Sequence, residues 1–308
     1  MDSPRPDLSD MALFVEVARL RSFSRAAESL GMPASSLSRR ISQLEKSTGV
    51  TLLHRTSRRV ETTEPGQAFY ERALRIVADA QSAHDELVSA GGAPRGRVRM
   101  SVPVDFGMLF IAPVLVDFAR AYPDVTFEID MSPRRVDLLF ERFDLAIRVG
   151  PLADSSLVAR RLATVGVGLY ASPSYLHAAG APRTPAELAR HQAMRVLLPE
   201  PAPAWDLVSD AGERTSVQPR TRFAVNNIAM LRELTAAGMG IGAFDAIVAE
   251  ADLRAARIVR VLPGWSMPGL PIHALTPDTR VARRVRLWVD FLADRLRGYD
   301  GARPGSAQ

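Results

Sequence analysis

Small hydroxyls and arginines between residues 34 and 59 recur at spacings suited to phosphate oxygens and base edges. Ala34, Ser35, Ser38, Arg39 and Gln43 fall off the apolar stripe drawn by Leu37, Ile41 and Leu44, so one helix would bury the stripe and present the others. Small side chains at such a helix start let its backbone sink into a major groove, and Arg39 is long enough to reach a guanine edge or a phosphate. Arg55, Arg58 and Arg59 follow in a Thr/Ser/Arg segment that reads as a wing. The chemistry is readout of duplex DNA by hydrogen bonds and charge, with no bond made or broken.

Three helices must hold those groups. Leu13, Phe14, Val17 and Ala18 make the apolar face of a first helix. Ser24 is the expected N-cap of the second, since its hydroxyl can accept an orphan amide. Ala26, Ala27 and Leu30 line that helix, and its two alanines permit close approach by a neighbour. Gly31 ends it in the left-handed region, and Pro33 forbids simple continuation. A plain three-helix cluster with a solvated polar face would show the same stripes. Total charge does not separate the two readings: residues 1–66 hold ten Lys+Arg against eight Asp+Glu. Position does, because Asp2, Asp7, Asp10 and Glu16 lie in or before the first helix, while Arg39, Arg40, Arg55, Arg58 and Arg59 gather later.

The order Phe14, Ser22-Phe23-Ser24, Ala26-Ala27, Leu30, Ser35, Leu37-Ser38, Ile41, Leu44-Glu45, Gly49, Leu52, Arg55, Thr62-Thr63-Glu64, Gly66 closely resembles the N-terminal signature of LysR-type transcriptional regulators. The resemblance implies an all-α winged helix-turn-helix on a long dimerisation helix, followed by an α/β effector domain of two lobes, like periplasmic binding proteins. It assigns Ala34, Ser35, Ser38 and Arg39 to the major groove and Arg58 to the minor groove. Pro65 departs from the family, which favours a small residue there. Thr63 can still cap the helix, and proline is tolerated in a first turn.

At 308 residues the chain should form two or three domains, and 47% hydrophobic content is enough for a packed core. No apolar run approaches the roughly 20 residues that span a bilayer. The start, MDSPRPDLSD, has no apolar h-region, so a cytoplasmic protein without membrane attachment is expected. There is no cysteine, which excludes disulfides, thiolate metal sites and cysteine redox sensing. The net charge is +5, and Lys46 is the one lysine. This arginine bias would suit phosphate recognition, but a compositional bias of the genome explains it more simply.

Residues 64–90 carry one unbroken helical pattern, with Phe69, Ala73, Ile76, Ala80, Ala83 and Leu87 spaced as a heptad seam. Such a helix reaches roughly 40 Å. No helix of equal length lies nearby in the sequence, so a second copy of the chain is the expected partner. Ala90-Gly91-Gly92-Ala93-Pro94 reads as a hinge. From Arg97 strands alternate with helices, the mark of a mixed α/β fold with covered sheets. Strands are expected at 98–102, 125–131, 145–149, 165–171, 223–225, 241–244, 258–261 and 272–275. Helices are expected at 106–122, from 136, at 227–237 and at 280–297. The domains expected are 1–63, the helix 64–90, a hinge at 91–96 and an effector domain over 97–298. Lobe I takes about 97–163 and 273–298, and lobe II about 164–272. The two crossings fall near 163–167 and 270–275. Residues 299–308 read as a disordered tail.

The LysR-type resemblance extends over about residues 8–298, and FDLAIRVGPLADSSLVARRL (143–162) resembles one branch of the family. Its inter-lobe cleft falls at strand ends: Val104, Asp105 and Phe106; Ser132 and Pro133; Arg148 and Gly150; Asn226 and Asn227; and Phe244. Helix-start amides near Asp105 could receive an anion, although Asp105 itself would oppose one. Arg148 could pair with a carboxylate or bridge to a neighbouring Asp. An anionic small molecule is therefore one candidate effector.

Other chemistry finds no support in the residues. Gly238-Met239-Gly240-Ile241-Gly242 follows a helix and precedes a strand, the reverse of a dinucleotide fingerprint. His54, His84, His177, His191 and His273 show no metal-ligand spacing, and His191 reads as a surface residue. No nucleophile elbow or phosphate-binding loop occurs. No metal, cofactor or catalytic residue is expected. Double-stranded DNA with a pseudo-palindromic operator, a small effector, RNA polymerase and one or three further copies of the chain are the expected partners. An enzyme or a solute receptor is the alternative class. The first would need a catalytic constellation and the second an export signal, and neither is found.

Overall fold

In the computed structural model the described residues are 7–55, 59–89, 93–132, 134, 136–138, 140–152, 154–155, 157–197, 204–277, 279 and 281–297. They fall into two compact units, each with its own core. The first takes Met1–Ala93 with Asp137–Arg142 and Arg280–Arg283, and the second takes the rest.

Three helices open the first unit: α1 (Leu8–Leu20), α2 (Phe23–Leu30) and α3 (Ala34–Thr48). Asp7 caps α1 by accepting the Ser9 amide at 2.8 Å. The cap of α2 is Ser22 rather than Ser24, its hydroxyl accepting from Arg25 N at 3.4 Å. Starting two residues early lets Phe23 join the core as a half-buried ring. Gly31 takes φ 62°, and Met32 N returns to the Ala27 carbonyl at 3.0 Å, closing the helix as a Schellman turn. Phe14, Val17, Ala26, Ala27, Leu37, Ile41 and Leu44 are buried together, as their spacing requires.

A short hairpin, β1 (Leu53–Arg55) and β2 (Val60–Thr62), forms the wing. It leads into α4 (Glu64–Ser89). Thr63 caps that helix by accepting Gly66 N at 2.9 Å while donating to the Thr51 carbonyl at 2.7 Å. The heptad seam divides in two. Tyr70, Ala73 and Leu74 are buried in the unit's own core, and the Phe69 ring lies 5.2 Å from Phe14. Ile76, Ala83 and Leu87 are exposed, Leu87 at 77%. The first half of α4 therefore belongs to its own chain, and the second half leaves apolar groups uncovered.

Residues 136–140 are expected to start a helix, but the described residues over 136–142 form a turn. The Asp137 carboxylate takes the Phe140 amide at 2.9 Å, and Arg142 adopts φ 57°, which stops propagation.

The second unit is a mixed sheet of two lobes. Lobe I holds β3 (Gly96–Val102), β4 (Val125–Met131) and β5 (Leu145–Val149), with β3 parallel to both others. A helix crosses from β3 to β4 in three pieces: α5 (Val104–Phe106), a π turn at Gly107–Ile111 and α6 (Ala112–Ala121). Gly107 sits at a close approach, where an added Cβ would meet Met131 Sδ at 2.8 Å and displace that side chain. The long β6 (Val158–Ala171) crosses to lobe II. There follow α7 (Pro173–Ala179), a 3₁₀ turn at Pro185–Arg190, β7 (Gln192–Val196), β8 (Trp205–Ser209), β9 (Arg214–Val217), β10 (Arg220–Val225), α8 (Ile228–Ala236), β11 (Ile241–Asp245), α9 (Ala246–Arg254) and β12 (Val259–Val261). The return strand is β13 (Trp265–Thr276), and α10 (Arg283–Leu296) closes the unit.

The sheet runs β10-β7-β11-β6-β13-β5-β3-β4. β6 pairs with β11 through 167–170, and β13 pairs with β5 through 272–275. These two strands carry the sheet from one lobe to the other. Lobe I packs Trp288 against Phe118 and Phe127, each at 5.2 Å between ring centroids. In lobe II His191 is buried rather than on the surface. Its Nδ1 lies 3.1 Å from the Tyr175 hydroxyl, which also accepts Gln192 N at 3.0 Å. Burial lowers the His191 pKa, an effect that Glu187 partly offsets.

Candidate functional site

In the first unit α3 presents Ala34, Ser35, Arg39 and Gln43 to solvent, with Ser38 half-exposed. Pro33 is its N-cap and offers no side-chain hydrogen bond, so backbone amides head this helix. That start suits a phosphate. Ser42 and Lys46 are also exposed on α3, and they continue the face of Ser35 and Arg39 at helical spacing. The sequence reading passed over both, although the i, i+4, i+7, i+11 spacing held the signal.

Two basic residues are tied down instead. Arg40 is bound to Asp10 at 2.6 Å and to Asp7 at 3.5 Å, bracing α3 against α1. Arg55 was expected to face DNA. Its Nη2 lies 2.9 Å from Glu45 Oε2, its Nη1 donates to Ser38 Oγ at 3.1 Å, and its guanidinium covers the Phe23 ring at 4.7 Å. Glu45 Oε1 also accepts the Leu52 and Leu53 amides at 2.9 and 3.1 Å. The pair therefore staples the wing onto α3 and orients Ser38. Arg58 lies outside the described residues.

In the second unit the expected cleft positions follow strand ends of both lobes. Val104 and Asp105 are half-exposed after β3, while Phe106 is buried and stacked on Phe110 at 4.8 Å. Ser132 binds the Val102 carbonyl through its amide at 3.2 Å and takes the Arg134 amide on its hydroxyl at 3.2 Å. Pro133 is outside the described residues. Gly150 follows β5 at φ 98°, which a side chain would strain, and its amide reaches the Pro271 carbonyl at 2.8 Å.

Arg148 is occupied by its own lobe. Its guanidinium donates to the carbonyls of Ile147 (2.7 Å), Arg134 (3.2 Å) and Ser101 (3.3 Å), and to the Ser101 hydroxyl (3.1 Å). Across the cleft Asn226 is exposed, and Asn227 is the N-cap of α8, accepting Met230 N at 2.9 Å. The amides of Ile228 and Ala229 are taken by Asp105 Oδ2 and Oδ1, at 2.9 and 3.0 Å.

Phe244 does not face the cleft. It is 2% exposed and stacks on Tyr170 at 4.8 Å within the core of lobe II. Its place on β11 explains this: Gly242 and Phe244 share one face, and a Cβ on Gly242 would meet Leu231 of α8. The next residue, Asp245, caps α9 through Ile247 N at 2.7 Å. Burial raises its pKa, partly countered by the amides of Ile247, Val248 and Ala246. Among the described residues no group of three His, Asp or Glu could hold a metal, and no helix is long and apolar enough to cross a membrane.

The family model described as "Bacterial regulatory helix-turn-helix protein, lysR family" matches residues 8–67, and "LysR substrate binding domain" matches 91–297. An HTH-type transcriptional regulator of Xanthomonas campestris pv. campestris is 34% identical over 295 residues, covering 94% of this chain and 86% of that protein. The full-length structure of the Vibrio cholerae virulence activator AphB, a member of the LTTR protein family, aligns at TM-score 0.59 and 29% identity, over 94% of this chain and 99% of that one. CrgA, a LysR-type transcriptional regulator from Neisseria meningitidis, aligns at TM-score 0.58 and 30% identity, over 95% of this chain and 100% of its own.

Proposed function

Since this chain belongs to the LysR family of bacterial transcriptional regulators, with a helix-turn-helix domain and an effector-binding domain, we propose how its residues divide the work. Ala34, Ser35, Ser38, Arg39 and Gln43 enter the major groove, joined by Ser42 and Lys46. Arg58 reaches the minor groove from the wing. Arg55 acts as a positioning residue, holding Ser38 through its bond to Glu45. The observation that carries this reading is the exposed polar face of α3, headed by amides that no side chain caps.

The protein acts in the cytoplasm as a regulator, not a catalyst, and meets RNA polymerase at the promoter. It assembles through the open half of α4, where Ile76 and Leu87 are exposed. Two dimers form a tetramer that reads a pseudo-palindromic operator. A small molecule between the lobes shifts the balance of two tetramer shapes with different spacing of the DNA-binding domains. A monomer by light scattering at micromolar concentration would overturn the assembly.

A salt-titrated shift assay on the intergenic DNA upstream of the protein's own gene tests the function. A discrete complex should resist competitor DNA and weaken linearly in log salt. No specific complex there and none across the genome would overturn it. In the same assay Arg39→Ala should cost about 1–3 kcal/mol on the operator and little on unrelated DNA, if Arg39 reads a base. Equal weakening on every sequence would make it a phosphate contact.

A further inference from the structure

The start of α8 is the place in this cleft where an anionic effector would be expected to bind, because a helix N-terminus offers amides and a favourable dipole. That place is filled. Ile228 and Ala229 each donate to one oxygen of the Asp105 carboxylate, at 2.9 and 3.0 Å, and Met230 donates to Asn227 at 2.9 Å. Asp105 belongs to lobe I and α8 to lobe II, and Asp105 and Ile228 are 123 positions apart in the sequence. The cap is therefore also a bond between lobes.

Its geometry is held from behind. Asp105 lies in the single turn of α5, directly before the π turn at Gly107–Ile111. The Phe106 and Phe110 rings stack across that turn at 4.8 Å, and Gly107 leaves room there for the Met131 and Val102 side chains. Single π turns within a helix occur frequently at functional sites.

We propose that Asp105 is a tethered anion that latches the two lobes together without a ligand. The effector-binding domain then rests closed, and an effector carboxylate gains the α8 amides only by displacing Asp105. This rests on reading the cleft as the effector site. Effector chemistry follows from the latch: a free anion competes with a carboxylate already at the amides, whereas a neutral or cationic ligand can bind with the latch shut.

The test is hydrogen exchange on the full-length protein, resolved at the amides of 228 and 229, with acetate as the probe. In Asp105→Ala those amides should exchange about tenfold faster, the opening expected when a capping carboxylate is lost. Acetate should slow them again in the variant and leave the parent protein unchanged. Asp105→Asn keeps one acceptor and should fall between, and it decides the matter if the alanine variant does not fold. Unchanged exchange at 228 and 229 in a folded variant, or no rescue by acetate, would overturn the latch. Exchange reads the latch and the shift assay reads DNA binding, so failure of either proposal is seen separately.

Discussion

Gly66→Ala is expected to destabilise the DNA-binding unit by at least about 3 kcal/mol, among the larger effects of one methyl group. The Gly66 backbone sits on the Leu52 carbonyl oxygen, and an added Cβ would stand 1.9 Å from that oxygen. The same oxygen accepts Thr63 N at 3.0 Å, and Thr63 caps α4 through Gly66 N at 2.9 Å. A methyl group cannot push one partner aside without breaking the wing lead-in, the cap or both. The obstacle is backbone, so no rotamer change relieves it. The first thermal transition should fall by roughly 10–20 °C, scaling as for a domain of that size. Specific operator binding should fall with it, because the wing and α3 share the Glu45 staple. Gln67→Ala, at the exposed next position, should change stability by less than about 0.5 kcal/mol. A Gly66→Ala protein that melts with its parent would show that the wing and α4 are free to separate.

The first domain was legible because its rules are local. Leu37, Ile41 and Leu44 are spaced to fall on one helix face, and all three are buried. Gly31 and Pro33 mark a turn that the backbone then makes. What the sequence could not show was which arginines are occupied. Arg39 and Arg40 are neighbours, yet Arg39 is exposed and Arg40 is bound to Asp10. Asp10 lies thirty residues away in sequence, and only packing of α3 on α1 brings the two together. Arg55 shows the same limit, since Glu45, Ser38 and Phe23 meet it through the fold and not through spacing.

The effector-binding domain was legible where a strand carries its apolar residues nearly without break, as LAIRV does, or in alternation, as VTFEIDM does. Residues 145–149 and 125–131 were expected as strands and are strands. Between 172 and 217 the pattern fails, because the elements are short: α7 spans Pro173–Ala179, and β9 has four residues. Neither is long enough to show a period. α9 was missed for another reason: AIVAEADLR follows a strand with no spacer, and its N-cap, Asp245, is the last residue of β11. At the cleft, Phe244 could not be told from a lining residue by position, since its side depends on strand register. The role of Asp105 was out of reach too, because it requires residues 123 positions apart to touch.

The fully buried Glu16 should bring the second large loss. Its carboxylate takes Ser29 Oγ at 2.6 Å, Arg19 Nη2 at 2.7 Å and Nε at 3.1 Å, and Arg142 Nη2 at 2.5 Å. Removing the acid leaves the partly exposed Arg19 and Arg142 guanidinium groups facing each other without a counter-charge and the Ser29 hydroxyl without its acceptor, so Glu16→Ala should cost about 2–3 kcal/mol at neutral pH. Burial alone would raise the Glu16 pKa, but bonds from Arg19 and Ser29 and the charges of Arg142 and Arg19 outweigh it, so the pKa falls below its ordinary value. A carboxyl whose folded pKa is depressed stabilises above the unfolded value, roughly 4.3, and loses that stabilisation as pH falls through the folded pKa. The penalty of Glu16→Ala should therefore shrink in acid, as the parent loses its own advantage. Glu16→Gln retains the shape but not the charge. It should be less harmful than alanine, and it should flatten the acid limb of the stability curve. Denaturant midpoints at pH 7 and pH 3.5 read both effects. A penalty that stayed constant across that range would mean that packing around Glu16, and not its charge, holds α1, α2 and the 137–142 turn together.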